Sequence, residues 1–196
     1  FHNEGTNGFR EVLTPLADRM FSTTAWADYD NDGDLDLIAG NLGLNSKLKT
    51  SVDEPVRLFV KDFDKNDSVD QVLTHFMHGK EYPFHTREEM TKQMPYLKKK
   101  YLSYQKFAHA TLKDVFPEPI LADAENHVAY TFQTSVIENL GNLKFRVKPL
   151  PKAAQFSTVN AILADDFDQD GKVDLLLAGN FYPINIQLGR SDASNG

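Results

Sequence analysis

The feature that most constrains this chain is an acidic segment that recurs with one spacing. Its first copy, residues 28–36 (loop 1), has aspartate at positions 1, 3, 5 and 9 and glycine at position 6. Alternate side chains of a tight turn can point at one ion, and calcium takes six to eight oxygen ligands at about 2.3–2.6 Å. Carboxylates crowded this closely repel one another unless a cation lies among them. The spacing therefore predicts a divalent-metal loop.

Two further copies follow. Residues 166–174 (loop 3) repeat all five positions, including Gly171, whereas residues 62–70 (loop 2) form a weaker copy. Its position 5 is Asn66, still an oxygen donor, and its position 6 is Asp67, where glycine would turn at lower cost. We expect two calcium sites, with a third at loop 2. The predicted side-chain ligands are Asp28, Asp30, Asp32, Asp36, Asp62, Asp64, Asn66, Asp70, Asp166, Asp168, Asp170 and Asp174.

An EF-hand is the first alternative for such loops. It requires a glutamate at position 12 and a helix on each side, but position 12 is Ala39 in loop 1 and Leu177 in loop 3. Residues 22–27 and 157–164, which precede these loops, are β-prone, and short apolar runs ending in Gly-Asn follow. Each loop is therefore predicted to join two antiparallel strands.

Composition sets the broad class. The 196 residues can bury a sizeable core, and no apolar run is long enough for a membrane helix, so no membrane insertion is expected. The formal charge of −7 argues against nucleic-acid binding, and more than a third of the 28 acidic residues are predicted ligands. Without cysteine the redox compartment is not readable. Because the chain begins with Phe1 rather than Met, we expect it to be a piece of a longer protein.

A larger unit repeats around the loops. Residues 1–12 read as a hairpin because Asn7-Gly8 is a strong tight-turn signal, and residues 136–147 form a related segment. Each predicted hairpin leads through a proline-containing link to Phe-Ser-Thr, then to the strand before an acidic loop. Recurrence at irregular distance suggests stacked blades with an insertion between two of them.

This unit resembles the FG-GAP/VCBS repeat, the blade of integrin-α-type β-propellers. The resemblance covers about residues 1–45 and 134–190 and is thin over 53–75; the literal Phe-Gly and Gly-Ala-Pro signatures are missing. It implies a cation in each loop, with the position-7 backbone carbonyls of Asp34, Ser68 and Lys172 as additional ligands. It also implies a mainly β fold: a partial β-propeller of two to three blades with an α-helical insertion. The predicted domains are blades at 1–79, the insertion at 80–130 and a blade at 131–196.

The predicted insertion is helical and basic. Residues 86–89 form a capping box, Pro95 is expected to start a second helix, and Pro117 and Pro119 to end the helical region. An apolar stripe recurs at spacings of three and four: Met90, Met94, Leu97, Tyr101, Tyr104, Ala108, Leu112 and Val115. The basic residues, Lys98–Lys100 among them, are interpreted as a solvated face. The alternatives are a surface for an acidic partner, such as an anionic glycan or another segment of the same protein, and binding to a membrane surface.

Catalytic signals are weak. His75, His78 and His85 could approximate a metal cluster, but scattered imidazoles are the preferred interpretation. No nucleophile elbow, phosphate loop or dinucleotide fingerprint appears. The aspartates could hold a glycosidase pair, but carboxylates committed to a cation cannot easily act as acid and base. Aromatic side chains beside the loops, Trp26, Tyr29 and Phe167, could stack on a sugar or anchor the loops.

The leading hypothesis is a non-enzymatic, calcium-binding β-propeller segment of an exported bacterial protein, located at the cell surface, in the periplasm or outside the cell. It would serve adhesion or protein and glycan binding, and its partners would include the remaining blades of the same parent protein. The alternatives are part of a polysaccharide-degrading enzyme or its accessory domain, and a purely structural spacer.

Overall fold

The computed structural model describes residues 2, 3, 5–11, 21–182, 189 and 191–193. The strands are β1 (His2–Asn3), β2 (Phe9–Arg10), β3 (Thr23–Ala27), β4 (Asp36–Gly40), β5 (Val56–Lys61), β6 (Asp70–Met77), β7 (Lys80–Pro83), β8 (Glu125–Ala129), β9 (Ser135–Asn139), β10 (Phe145–Pro149), β11 (Ala161–Asp165) and β12 (Asp174–Ala178). The helices are α1 (Arg87–Gln93), α2 (Leu97–Lys100), α3 (Tyr104–Ala108), α4 (Leu112–Val115) and α5 (Glu118–Leu121). The fold is mainly β, as predicted, and every strand pairing is antiparallel.

Two compact units divide the chain. The first unit contains Phe1–Lys47 and Phe132–Gly196, and the second contains Leu48–Thr131. The predicted boundary between residues 79 and 80 lies within the second unit, between β6 and β7, which are hydrogen-bonded to each other. The helices therefore share their unit with a sheet and with loop 2.

A four-stranded sheet forms the centre of the first unit, in the order β10-β9-β4-β3. Read from β3 to β10, the strands follow one another in chain order. The residues of the second unit lie between β4 and β9 in the sequence. Central strand β4 pairs on both sides: Ile38 lies opposite Ala25 on β3 and Val136 on β9. Ile38 is fully buried and forms a core cluster with Ala27, Val136 and Leu150.

The two predicted hairpins are present in the first unit. Strands β1 and β2 pair antiparallel, and so do β9 and β10; Phe1, Val12 and the first proline link lie outside the described residues. Strands β11 and β12 form a further pair around loop 3. Strand β11 begins later than predicted because Ser157 and Thr158 bond to Ser191 instead of a strand: Ser157 Oγ donates to the Ser191 carbonyl at 2.7 Å, and the Thr158 N–H donates to Ser191 Oγ at 3.1 Å.

The second unit has a sheet in the order β7-β6-β5-β8, with loop 2 joining β5 and β6. The helices cover an apolar cluster on this unit because their buried side chains meet those of the sheet. The cluster contains Phe59, Phe63, Val72, Met90, Met94, Leu97, Tyr101, Phe107, Ala110, Leu112, Val115 and Phe116.

The helical region is more broken than predicted. The capping box at Thr86 and Glu89 is present, but the second helix begins at Leu97 rather than Pro95, and α5 follows Pro117. The predicted stripe is wrong at two positions. Tyr104 and Ala108 are exposed, and Phe107 and Ala110 are buried in their place, because the helical phase restarts with each short helix. No helix in the described ranges is long and apolar enough to cross a membrane.

Truncating the centre of the first unit should be costly. We expect Ile38→Ala to lower the free energy of unfolding by about 2–5 kcal/mol, because a fully buried side chain leaves a cavity. Leu163→Ala is the matched control, since Leu163 on β11 is 60% exposed. Urea denaturation followed by circular dichroism measures both. Equal losses for the two variants would contradict the assigned core.

Candidate metal centres

Loop 1 is built from hydrogen bonds between its own carboxylates and backbone. Asp28 at position 1 accepts from the N–H groups of Asp32 and Gly33, at 3.0 Å each. The Asp32 side chain at position 5 accepts from the Asp34 N–H at 3.1 Å, and Asp36 at position 9 accepts from the Tyr29 N–H at 3.1 Å. These bonds wind the chain around the first aspartate.

Loops 2 and 3 repeat the same set. In loop 2, Asp62 accepts from the N–H groups of residues 66 and 67, Asn66 from residue 68 and Asp70 from residue 63, at 2.8–3.1 Å. In loop 3, Asp166 accepts from residues 170 and 171, Asp170 from residue 172 and Asp174 from residue 167, at 2.9–3.2 Å. Three segments with different sequences therefore adopt one hydrogen-bonded turn.

Backbone conformation agrees with this equivalence. Position 4 has a positive φ in each loop: 59° at Asn31, 60° at Lys65 and 64° at Gln169. Position 6 is also left-handed, at Gly33, Asp67 and Gly171. Asp67 adopts φ 64° at a cost that glycine avoids, as the sequence predicts.

Each loop gathers three carboxylates that offer ligand atoms within 4.8 Å of one another. The groups are Asp28, Asp30 and Asp32 in loop 1; Asp62, Asp64 and Asp70 in loop 2; and Asp166, Asp168 and Asp174 in loop 3. None of these described groups includes His75, His78 or His85.

The aspartate at position 9 belongs to the carboxylate groups of loops 2 and 3 but not to that of loop 1. Asp36 is buried and uses both oxygens, accepting from the Tyr29 N–H and, at 2.8 Å, from the Asn139 N–H of β9. Asp70 and Asp174 accept the equivalent position-2 bond through Oδ2 and remain in their groups. The additional bond to β9 distinguishes Asp36 from its counterparts Asp70 and Asp174.

The remaining predicted ligands lie within the same turns. The position-7 residues Asp34, Ser68 and Lys172 are tied in through their N–H groups, and Asn66 accepts one of these bonds. Asp170 receives both the N–H and the ammonium group of Lys172, the latter at 3.0 Å. Lys172 therefore already neutralises part of the charge at position 5 of loop 3.

Electrostatics in the loops disfavour the ionised carboxylates in the absence of a cation. Desolvation, followed by the charges of Asp32 and Asp36, raises the pKa of Asp30 and of Asp34. Desolvation also raises the pKa of Asp70, against a lowering hydrogen bond from the Phe63 N–H. A dication would relieve the repulsion among these groups.

Within the three acidic loops, two buried side-chain oxygens lack a hydrogen-bond donor. They are Oδ1 of Asp34 in loop 1 and Oδ1 of Asp64 in loop 2. A buried acceptor without a partner is costly, and a bound ion is one of its ordinary explanations. The donor set is entirely oxygen, which suits hard cations such as calcium, magnesium or manganese. The residues present thus fit a hard divalent cation in each loop.

Sequence reasoning missed a buried acid beside loop 1. Glu138 on β9 is fully buried and forms ion pairs with Arg146 and Lys148 on β10. Burial would raise the pKa of Glu138, but hydrogen bonds from Lys148 and Arg146 bring it below its ordinary value. Its charge contributes to the raised pKa of Asp30. The predicted hairpin at residues 136–147 could have indicated this ion pair, because its register places Arg146 opposite Glu138.

Loops 1 and 3 touch each other in the first unit. The Asn31 side-chain amide at position 4 of loop 1 donates to the Gly171 carbonyl of loop 3 at 3.2 Å. The loops therefore lie side by side at one end of their strand pairs.

Comparison with known proteins returned no matching family model, no matching curated protein and no matching solved structure.

Replacing Asp67 by glycine should stabilise loop 2. We expect Asp67→Gly to raise the free energy of unfolding by about 0.5–1 kcal/mol, because glycine adopts positive φ without the steric penalty. Ser68→Gly is the matched control, since position 7 does not have a positive φ and glycine there only adds chain entropy. Thermal unfolding in chelator compares them. A loss of stability in Asp67→Gly would show that the loop 2 conformation differs.

Removing the charge of Asp30 should change the stability of the metal-free protein in a pH-dependent way. Because the folded state raises the pKa of Asp30, the metal-free fold loses stability as pH rises through that pKa. We therefore expect Asp30→Asn to melt higher than the parent in chelator at pH 7. The difference should shrink on acidification, because Asp30 then becomes neutral as well. Melting curves from pH 4 to 7, with Asp53→Asn in an exposed segment as control, measure this. A difference that does not change with pH would contradict it.

Proposed function

We propose that this chain is a calcium-binding β-propeller segment of an exported bacterial protein, of the FG-GAP/VCBS type, and that it serves adhesion or protein and glycan binding rather than catalysis. The observation that carries the proposal is the equivalence of the three acidic loops. Each uses the same hydrogen bonds and the same two left-handed positions to gather three carboxylates.

Calcium is the cation favoured by this arrangement. The loops supply clustered carboxylates and backbone carbonyls on exposed turns, and calcium accepts six to eight such oxygens in variable geometry. Magnesium demands near-ideal octahedral coordination and keeps several waters. The proposed exported location is the setting in which calcium modules with dissociation constants of about 0.1–1 mM operate.

Sheet order supports the propeller. Strands β3, β4, β9 and β10 form an antiparallel four-stranded sheet in chain order, which is the make-up of a propeller blade. The pair β11–β12, with loop 3 between its strands, corresponds to the first half of another blade. Strand β11 lies alongside β3 without pairing to it, as the first strands of adjacent blades do around a propeller axis.

A binding role fits the surroundings of the loops better than catalysis does. The aspartates that could act as acid and base are tied into the turns by backbone N–H groups. Trp26 and Phe167, beside loops 1 and 3, are 63% and 54% exposed. Exposed aromatic side chains next to a rigid loop offer contact area for a protein or a sugar.

Calcium should stabilise the folded chain. Because a ligand of the native state adds RT ln(1 + [L]/Kd), calcium at about 100 times Kd should add about 2.7 kcal/mol per site, and chelator should remove it. Melting temperature against calcium concentration, with the bound metal counted by atomic emission, measures the effect.

Variants separate the sites. Asp28→Asn and Asp166→Asn should each remove one bound calcium, because each loses the position-1 carboxylate around which its loop winds. Asp53→Asn should leave calcium binding unchanged. If calcium neither binds nor shifts the melting temperature of the parent chain, the proposed function is wrong.

A further inference from the structure

A small cavity in the second unit lies between the end of β7, the start of α1 and helix α3. Its volume is about 290 Å³. This is close to the lower limit of the range of roughly 300–1,000 Å³ typical of small-molecule sites. The cavity therefore suits a single ring rather than a peptide or an extended polymer segment.

One wall is apolar and aromatic. It includes Phe84 and Phe107, together with Met77 and Tyr82. The Phe107 ring is buried and packs edge-on against Tyr101 at 5.3 Å, and Phe84 packs edge-on against His75 at 5.2 Å. These contacts fix the wall before any ligand arrives, so binding need not order it.

The rim carries a fixed polar group of three side chains. The Arg87 Nε donates to the Tyr101 carbonyl at 2.7 Å, and its guanidinium lies 5.4 Å from the centre of the Tyr104 ring. Arg87 Nη1 is 3.7 Å from Glu88 Oε1. A hydrogen bond from Tyr104, with further help from Arg87, lowers the pKa of Glu88, so this carboxylate stays ionised. The rim thus offers hydrogen-bond donors and acceptors near one another.

A second polar group lies deeper. His85 lines the cavity, and its Nε2 is buried without a hydrogen-bond partner. Its Nδ1 lies 3.7 Å from Glu89. Burial lowers the pKa of His85 despite Glu89, so the imidazole is neutral and one of its nitrogens can accept a proton donor. A buried imidazole nitrogen without a partner is costly.

We propose that this cavity binds one pyranose residue of a glycan. A pyranose ring has an apolar C–H face, which suits the wall of Phe84 and Phe107, and hydroxyl groups around its edge. Hydroxyl groups would bond Glu88 and Tyr104 at the rim, and one would donate to His85 Nε2 once the imidazole ring turns this nitrogen, which is buried in the free protein, toward the cavity. A simple aryl compound with one polar end would satisfy the rim or the imidazole, but not both.

This inference rests on the binding role proposed above and names a pyranose as the class of ligand. It does not require calcium to bind in the acidic loops. It also gives the helical region a purpose: α1 and α3 supply the rim and one wall of the cavity. The open rim, where Tyr104 is 65% exposed, leaves room for a glycan chain to continue into solvent.

The test uses the whole chain in calcium buffer, with methyl glucoside, methyl galactoside, methyl mannoside and glucuronic acid as probes and phenol as the aryl comparison. Saturation-transfer NMR and ¹⁵N shift titrations measure binding. We expect at least one sugar to bind with a Kd of about 1–10 mM, the range that a ligand of this size reaches. Its binding should shift the amide signals of α1 and α3.

Three variants locate the site. Tyr104→Ala and Glu88→Gln should each weaken the sugar by about tenfold or more, because they remove a rim partner. Leu102→Ala is the matched control, being 82% exposed and outside the cavity lining, and should bind as the parent does. Melting curves verify that all three fold.

The inference is overturned if no sugar binds, if phenol alone binds, or if Tyr104→Ala and Glu88→Gln bind sugar as tightly as Leu102→Ala. Calcium titration of the same sample keeps the two proposals apart. A calcium-dependent melting shift without sugar binding removes only the glycan site, whereas sugar binding without a calcium response removes only the calcium assignment.

Discussion

Repulsion among clustered carboxylates is the constraint on which the rest of the structure depends. Each acidic loop forces several aspartates into one turn at the end of a strand pair, and backbone N–H groups offset only part of the repulsion. Desolvation, followed by the charges of neighbouring aspartates, raises the pKa values of Asp30, Asp34 and Asp70. A divalent cation bound in a loop would convert this local penalty into a cross-link between the two strands that the loop joins. In loop 1, Asp36 also accepts a hydrogen bond from the Asn139 N–H, which ties the end of the loop to β9.

The loops and their flanking strands could be predicted because both signals are local. Aspartate at alternate positions, with Gly33 and Gly171 at position 6, specifies a turn, and β-prone residues on either side specify strands. Contacts distant in sequence were not predictable in this way. The pairing of β4 with β9 joins residues about a hundred positions apart, and it is this pairing that buries Asp36 and brings Glu138 close to loop 1.

The helical region shows a different limit. An apolar period of three to four residues fixes a buried face only while one helix continues. Here Tyr101 is the C-cap of α2 and Ser103 is the N-cap of α3, so the helical phase restarts. Phe107 is therefore buried and Tyr104 is exposed. That break creates the cavity rim, because an uninterrupted helix would have buried Tyr104. The site in this region could therefore not be derived from the stripe.

The same helical region accounts for the least regular of the three loops. Loop 2 has aspartate where glycine is favoured at position 6 and asparagine at position 5. Helix α1 is hydrogen-bonded to the residue that follows this loop: the Gln93 side-chain oxygen accepts from the Gln71 N–H at 2.9 Å. Tyr96, which follows α1, lies near the carboxylates of loop 2. Burial, followed by the charges of Asp64 and Asp70, raises the pKa of its hydroxyl group. Loop 2, with its weaker motif, thus keeps the same hydrogen-bonded turn as the other two loops while α1 is bonded to the strand that follows it.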